Sequence, residues 1–215
     1  MAVFNSQINL GSEAFARNRA EMLRLIDKLE MLNVRGGLIS EKRKPRFDAR
    51  GQLTPRERLA RLLDPSMPFL QIGNLAGYLL DTKNPDKSIP GSTVIAGIGF
   101  IAGTRCIIVV DDSGIMAGSL TTAGGYKIRR AEQIALEQKL PFIHLVESAG
   151  GDLTNYTVEG FSVGGALFGS LAKLSKAGIP VISILHGSST AGGSLGGPTR
   201  MVWMPKTLLG VTFVM

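Results

Sequence analysis

The feature that most constrains the fold is a unit that occurs twice: a helix, a proline, an apolar strand and a glycine-rich loop. The strand "FIHLVE" follows Pro141 and continues into "SAGG", and the strand "VISILH" follows Pro180 and continues into "GSSTAGG". Continuous apolar strands that alternate with helices are typical of a mainly parallel sheet, because such strands are buried on both faces. The repeat therefore predicts an α/β fold.

The elements around this repeat are predicted by the spacing of apolar residues. "YKIRRAEQIALEQKL" and "VGGALFGSLAKLSKAG" have apolar residues at three- and four-residue steps, which indicates two helices, and Gly178 is expected to end the second. The stretch "TVIAGIGFIAGTRCIIVVDD" before them predicts a β-hairpin that turns at Ala102, Gly103 and Thr104.

Residues 1–65 have a different pattern, which predicts a helical and basic extension. "SEAFARNRAEMLRLIDKLEML" has helical spacing, and Gly36-Gly37 is expected to end that helix. The basic, proline-containing residues 42–46 are expected to form a loop. "TPRERLARLLD" predicts a short helix that Thr54 caps and in which Glu57 completes a capping box.

Composition and charge narrow the classes of function. The chain has 215 residues, is 44% hydrophobic and carries a formal net charge of +7. Its basic residues are concentrated near the N-terminus without interleaved aromatic residues, so we expect a phosphate-bearing small molecule or an acidic partner and no nucleic acid. The single cysteine, Cys106, excludes a disulfide framework. Without a leader or a membrane-spanning run, we expect a cytoplasmic protein and no membrane association.

Both glycine loops follow the carboxyl ends of predicted strands, which is where open α/β sheets bind ligands. Glycine lets the backbone approach a ligand closely, and successive free N–H groups bind an anion or a developing oxyanion. Two such loops at equivalent places favour a ligand site over two simple tight turns.

The side chains near these loops favour backbone chemistry over nucleophilic or metal catalysis. "GSSTA" lacks the last glycine of a nucleophile elbow, and no residues have metal-ligand spacing. The two histidines, His144 and His186, are interpreted as satisfied structural residues. Four acids near strand ends could orient a ligand: Asp111, Asp112, Glu147 and Asp152. Such a site suits the stabilisation of an enolate or oxyanion while another group moves the proton.

Three stretches resemble the β chain of biotin-dependent acyl-CoA carboxylases, the carboxyltransferases of the propionyl-CoA, methylcrotonyl-CoA and geranyl-CoA enzymes. In the family's order they are "RGQLTPRERLARLLDP", "GIGFIAGTRCIIVVDDSGIMAGSLTTAGGYKIRRAEQIALEQKLPFIHLVESAGG" and "AGIPVISILHGSSTAGG". The resemblance implies a crotonase-like (ClpP/crotonase) spiral of ββα units over residues 66–215, after the extension 1–65. From about residue 194 the sequence departs from the family pattern, so we expect a truncated domain without the second, biotin-binding domain.

The resemblance also implies the roles of individual residues. The family loop Asp-Ser-Gly-Gly corresponds here to Glu-Ser-Ala-Gly-Gly, in which the amides of Ala149 and Gly150 match the oxyanion pair. Because Ala149 replaces a glycine, Gly150 and Gly151 are the alternative pair. No metal is expected. The residues expected to bind CoA are Gly118, Ser119, Lys127, Arg130, Gly192 and Gly193.

The reaction that the resemblance implies is carboxyl transfer. Carboxybiotin on a partner α subunit, the biotin carboxylase and biotin carrier, releases CO2. The biotin enolate then removes the α- or γ-proton of an acyl-CoA, whose enolate is held by backbone N–H groups and attacks CO2. A homo-oligomer is expected for the full-length protein, and this chain alone is expected to be inactive.

Two alternative functions remain open from the residues. One is another crotonase-type acyl-CoA enzyme, a hydratase or hydrolase, in which Glu147 or Asp152 would serve as the acid. The other is a non-catalytic fragment that binds CoA. The sequence does not predict which acyl group is bound.

Overall fold

Six strands form one sheet in the order of the chain, β1 to β6, in a computed structural model that describes residues 5–80, 82–151, 157–190 and 200–203. β1, β2 and β3 pair antiparallel, and β3, β4, β5 and β6 pair parallel. The parallel part confirms the predicted α/β sheet. The strands are Leu70–Ile72, Val94–Ile101, Thr104–Asp111, Phe142–Ser148, Val181–Ser189 and Arg200–Trp203.

Helices precede the sheet and connect its parallel strands. The helices α1 to α6 are Glu13–Glu41, Lys44–Asp48, Pro55–Leu62, Thr122–Gln138, Val158–Gly164 and Ala166–Lys176, and a 3₁₀ turn spans Met116–Gly118. The stretch predicted as one helix before β5 is divided between α5 and α6 at Gly165. Among the described residues, no helix combines the length and apolarity that crossing a membrane requires.

The core lies on both faces of the sheet. On one face, α4 and α6 pack against the strands through residues such as Ile128, Ala135 and Leu174. On the other face, Leu59 and Leu62 of α3 pack against Ile108 and other residues of the central strands. α3 therefore belongs to the packed core, and the proposed boundary at residue 65 stays a prediction.

The hairpin between β2 and β3 forms as predicted. Ala102 and Gly103 have φ angles of 50° and 73°, and a two-residue turn with both angles positive matches the twist of the strands that it joins. The Asp64 carboxylate accepts hydrogen bonds from the N–H groups of Ala102 and Gly103 at 2.8 and 2.7 Å. This acid, which directly follows the α3 region, fixes the turn to the sheet.

The predicted cap of α3 is confirmed. The Glu57 N–H donates to Thr54 Oγ1 at 3.2 Å, and the Thr54 N–H donates to Glu57 Oε2 at 2.8 Å, which completes the capping box. Lys44 Nζ lies 2.5 Å from Glu57 Oε1, and its hydrogen bond lowers the pKa of Glu57 to about 2. α3 thus begins at a residue that the local sequence specifies.

Two predictions for the extension are wrong. α1 continues through Gly36-Gly37 to Glu41. A Cβ atom on Gly36 would lie 2.7 Å from the carbonyl oxygen of Pro90, so glycine is needed at this position for packing. This glycine allows a close approach and does not end the helix. The expected loop at residues 42–46 contains the start of α2, since a proline in the first helical turn leaves no intrahelical bond unmade.

A buried acid lies between α4 and α6. Glu132 is 2% exposed, and burial raises the pKa of its carboxyl to about 8, although a hydrogen bond with Ser170 opposes this shift. The folded state therefore favours the protonated acid. Its contribution to stability is full below the ordinary pKa of 4.5 and is lost as the pH rises through about 8.

We expect the substitution Glu132→Gln to stabilise the protein more at pH 8.5 than at pH 5, because glutamine removes the cost of ionising a buried acid. The difference in the free energy of unfolding between variant and parent should grow by a few kcal/mol between these pH values, as denaturant unfolding can measure. Glu137→Gln, at an exposed position of the same helix, is the matched control. An equal effect of Glu132→Gln at both pH values would contradict this account.

Candidate functional site

The loop at the carboxyl end of β4 packs against the 3₁₀ turn that follows β3. The Ala149 N–H donates to the Ala117 carbonyl at 3.0 Å, and Ser148 Oγ donates to the Gly118 carbonyl at 2.7 Å. The Leu120 N–H donates to the Gly150 carbonyl at 2.8 Å. These hydrogen bonds join the 3₁₀ turn and the β4 loop, which lie far apart in sequence.

The 3₁₀ turn has an unusual backbone. Met116, Ala117 and Gly118 have φ angles of 46°, 52° and 70°, so three consecutive residues lie in the left-handed region. For residues other than glycine this region costs about 1–2 kcal/mol each. A Cβ atom on Gly118 would also overlap the carbonyl oxygen of Glu147. The strained turn is therefore held against β4 by a contact that only glycine permits.

The amides of the β4 loop differ in what they contact. The Ala149 N–H already donates to Ala117, and the Gly150 N–H donates to Ser148 Oγ at 3.1 Å. The Gly151 N–H has no acceptor among the described residues, and no atom lies within 4 Å of the position of its Cβ. Of the three predicted oxyanion residues, Gly151 thus has the amide with no described partner.

Alanine at position 149 is compatible with the loop. The left-handed residue of the loop is Gly150, at φ 89°, and Ala149 lies outside that region. A Cβ atom on Gly150 would lie 2.8 Å from Thr190 Oγ1. The departure from the family pattern at Ala149 therefore introduces no backbone strain.

The second glycine loop begins beside the first. The Thr190 N–H, at the end of β5, donates to the Ser148 carbonyl at 3.1 Å. Gly192 and Gly193, which were expected to bind CoA, lie outside the described residues. The structure thus places the start of the second loop at the same edge of the sheet as the first.

The other residues predicted to bind CoA have different environments. Gly118 is buried under β4, and Ser119, which is half-buried, donates its hydroxyl to the Met116 carbonyl at 2.7 Å. Arg130 is exposed on α4, where Nη1 lies 3.9 Å from Glu137 Oε2. A surface position of this kind leaves the guanidinium accessible to a phosphate.

Lys127 lies in the interior of the domain. Its side chain is buried, and Nζ donates to the carbonyls of Val94 and Gly91 at 2.5 and 3.2 Å. Burial, followed by the nearby Arg56 cation, lowers the pKa of Lys127 to about 8. The expected phosphate contact stays a prediction, and in this structure the ammonium group stabilises backbone carbonyls inside the domain.

Sequence reasoning missed a buried ion pair beneath the β4 loop. Arg58 Nη1 of α3 lies 2.5 Å from Glu147 Oε2, and Ser113 Oγ donates to the same oxygen at 2.7 Å. Arg58 lies four residues before Leu62, a core residue of the same helix. A charged residue on the buried face of a helix requires a partner, so this spacing could have indicated that Arg58 is paired, although not with which residue.

The two histidines differ in their contacts. His144 Nε2 lies 3.1 Å from Asp111 Oδ1, as expected of a satisfied histidine. His186 is buried, and among the described residues neither ring nitrogen has a hydrogen-bond partner, so its interpretation as a satisfied histidine stays a prediction. Burial, followed by the Arg58 cation, lowers the pKa of His186 to about 4. Its ring is therefore neutral near pH 7, so Arg58 is the cation that pairs with Glu147 among the described residues.

Each described acid at this edge has a hydrogen-bond partner, although Asp112 Oδ2 is buried without one. The carboxylate of Glu147 is held by Arg58 and Ser113, Asp111 contacts His144, and Ser40 Oγ donates to Asp112 Oδ1 at 2.5 Å. Asp152 lies outside the described residues. The arrangement thus offers a backbone N–H donor at Gly151 and, among the described residues near it, no acid that is both exposed and unpaired.

Comparisons with known proteins assign this chain to a family. The model of the carboxyl transferase domain matches residues 47–204. This chain belongs to the carboxyl transferase family. The match extends past residue 194, where the family pattern was expected to end, and that boundary stays a prediction.

Relatives and solved structures support the assignment. The chain is 44% identical over 149 residues to the probable biotin-dependent acyl-coenzyme A carboxylase beta2 subunit of Mycobacterium tuberculosis, covering 69% of this chain and 27% of that protein. It is 33% identical to the probable mitochondrial methylcrotonoyl-CoA carboxylase beta chain of Drosophila melanogaster, covering 89% of this chain and 33% of that one. The beta subunit of geranyl-CoA carboxylase from P. aeruginosa superposes with a TM-score of 0.81 at 42% identity, covering 90% of this chain and 36% of that one.

A further solved structure carries a ligand of the expected class. The transcarboxylase 12S structure, described as a hexamer assembly with methylmalonyl-coenzyme A bound, superposes with a TM-score of 0.66 at 27% identity and covers 83% of this chain and 34% of that one. These carboxyltransferase neighbours confirm the predicted crotonase-like α/β fold. The chain spans about a third or less of the length of the relatives that it matches.

We expect Gly118→Ala to destabilise the carboxyl transferase domain more than Gly103→Ala does. Both glycines have φ near 70°, but the Cβ of residue 118 would overlap Glu147 whereas that of residue 103 would meet no atom within 4 Å. The difference in the free energy of unfolding should be about 1–3 kcal/mol, the usual cost of overpacking. Denaturant unfolding measures both variants, and equal losses would contradict the proposed contact.

Proposed function

We propose that this chain supplies the acyl-CoA half of a carboxyltransferase in a biotin-dependent acyl-CoA carboxylase. The observation that carries the proposal is the β4 loop of this family member, in which the Gly151 N–H has no described acceptor while no described acid nearby is both exposed and unpaired. A site with a backbone donor and no free base suits the stabilisation of an enolate.

The chain's own residues would bind and orient the thioester. We assign the Gly151 N–H to the thioester oxygen, with Gly150 available if Ser148 Oγ releases its amide. Gly118, Ser119 and the second loop, with Gly192 and Gly193, would line the cleft for CoA. Arg130 is the remaining predicted cation for a CoA phosphate, because its side chain is exposed.

A site with backbone N–H donors and no exposed, unpaired acid among its described residues is compatible with a biotin group that a partner carries. When it is bound, carboxybiotin supplies CO2 and its ring supplies the base that the described residues lack. A partner α subunit, containing the biotin carboxylase and the biotin carrier, would deliver it. We also propose a homo-oligomeric carboxyltransferase, since the transcarboxylase 12S neighbour is described as a hexamer assembly. The cytoplasm remains the proposed location, which a free buried thiol at Cys106 fits.

We expect Gly151→Pro to remove the preference of this chain for a CoA thioester over the matching thioether, which lacks the carbonyl oxygen. Proline has no N–H group, whereas Gly151→Ala keeps the N–H and places its Cβ in open space. A neutral hydrogen bond contributes about 1 kcal/mol, so the parent chain and Gly151→Ala should bind the thioester about fivefold more tightly than the thioether. Gly151→Pro should bind the two ligands equally. Titration calorimetry with butyryl-CoA and S-butyl-CoA measures it.

The same titration can refute the proposal. A parent chain that binds neither ligand, or binds both equally, would contradict a thioester site. A proline variant that keeps the parental preference would contradict the assignment of Gly151.

We expect the chain to exchange no acyl α-protons with D2O, and to hydrate or hydrolyse no acyl-CoA, when biotin is absent. The physical reason is that Glu147 is ion-paired with Arg58, so it is not available as the acid or base that a hydratase or hydrolase needs. Proton NMR of butyryl-CoA and crotonyl-CoA with the chain measures this. Biotin-independent exchange or turnover would favour the hydratase or hydrolase class.

A further inference from the structure

We infer that the Arg58–Glu147 ion pair is a positioning device that holds the β4 loop, residues 148–151, in the conformation that presents the Gly151 amide. Neither side chain is assigned a contact with substrate, so both are positioning residues. The inference rests on the proposed function, because it concerns the loop that would bind the thioester.

Glu147 directly precedes the loop and is held at three points. Its carboxylate contacts Arg58 Nη1 at 2.5 Å and Ser113 Oγ at 2.7 Å, and its N–H donates to Asp111 Oδ2 at 3.3 Å. The side chains of Arg58 and Glu147 are 9% and 12% exposed, so water screens the pair weakly. Helix α3, the strand end of β3 and the start of the loop are therefore joined at one residue.

Two glycines make the space that Glu147 occupies. A Cβ atom on Gly187 would overlap the Glu147 carboxylate, and one on Gly118 would overlap the Glu147 carbonyl oxygen. Gly118 comes from the 3₁₀ turn and Gly187 from β5. The neighbouring backbones thus approach Glu147 from both sides, which restricts the orientation of the residue.

The sheet is irregular at this position. The pairing of β4 with β5 shifts register between Val146 and Ser148, so Glu147 lies at the irregularity. Such bulges change the direction of the chain and are common beside active sites. The ion pair anchors the residue at which the strand departs from regular pairing and the loop begins.

The energetics favour a role in geometry over a role in stability. A buried ion pair gains little net stability, because the desolvation of two charges offsets their attraction, and apolar replacement of both partners is often neutral. His186 Nδ1 lies 3.8 Å from Glu147 Oε2, but its ring is neutral near pH 7. Replacement of both charged partners should therefore leave the fold intact and release the loop.

The test compares the double variant Arg58→Met/Glu147→Met with the parent chain. We expect a midpoint of thermal unfolding within a few degrees of the parent, an unchanged Kd for S-butyl-CoA, and loss of the preference of about fivefold for butyryl-CoA. Hydrogen exchange should show the Ala149 amide exchanging about tenfold faster, since the loop no longer holds its bond to Ala117. Arg61→Met, at an exposed position of α3, is the matched control and should change none of these values.

Each outcome bears on the inference. A double variant that keeps the thioester preference and the protection of Ala149 would overturn it, while the proposed function would stand. A parent chain without any thioester preference would instead overturn the proposed function. If the double variant does not fold, Glu147→Gln replaces it, because glutamine keeps the shape of glutamate and removes its charge. Parental selectivity and protection in that variant would likewise overturn the inference.

Discussion

Parallel pairing of β3, β4 and β5 brings three strand ends to one edge of the sheet, and the candidate site depends on this pairing. Val110 aligns with Leu145, and Leu145 aligns with Ile184. The segments after these strands must therefore meet: the left-handed turn after β3, the glycine loop after β4 and Thr190 after β5. The hydrogen bonds among them are consequences of strand register, not of attraction between the loops.

Most of the hydrogen bonds that hold the loops at this edge are accepted by backbone carbonyls. Carbonyls of Ala117 and Gly118 accept bonds from the β4 loop, and the carbonyl of Ser148 accepts one from Thr190. A loop that is held by its own backbone bonds presents the remaining amides without reorganisation, which is the requirement for stabilising a developing oxyanion. Glycine at position 118 permits this arrangement, because a side chain there would collide with β4.

Charged residues inside this domain serve to place backbone. Lys127 binds two carbonyls near the start of β2, Asp64 binds two N–H groups of the β2–β3 turn, and Arg58 holds the acid before the β4 loop. In each case the side chain reaches across a distance in sequence to fix a turn or a strand end. This use of charge explains why two basic residues of this chain, Lys127 and Arg58, face inward.

The sequence by itself determined the elements that depend on near neighbours. The capping box of Thr54 and Glu57, the turn at Ala102 and Gly103, and the buried strands after the prolines were all predicted, because a few adjacent residues set their backbone geometry. The glycine loops were also predicted to follow strand ends, and the family was identified from motifs that lie in order along the chain.

Only the tertiary structure decided which groups are free and which are engaged. Arg58 and Glu147 are 89 residues apart, and no local pattern states that they pair. Gly36-Gly37 is a pattern typical of a helix end, but it lies inside α1, where Gly36 allows the close approach of Pro90. Lys127 has the charge that a phosphate contact needs, yet packing turns it inward. The physical reason is that burial and pairing depend on contacts between distant segments, which form only when the sheet assembles.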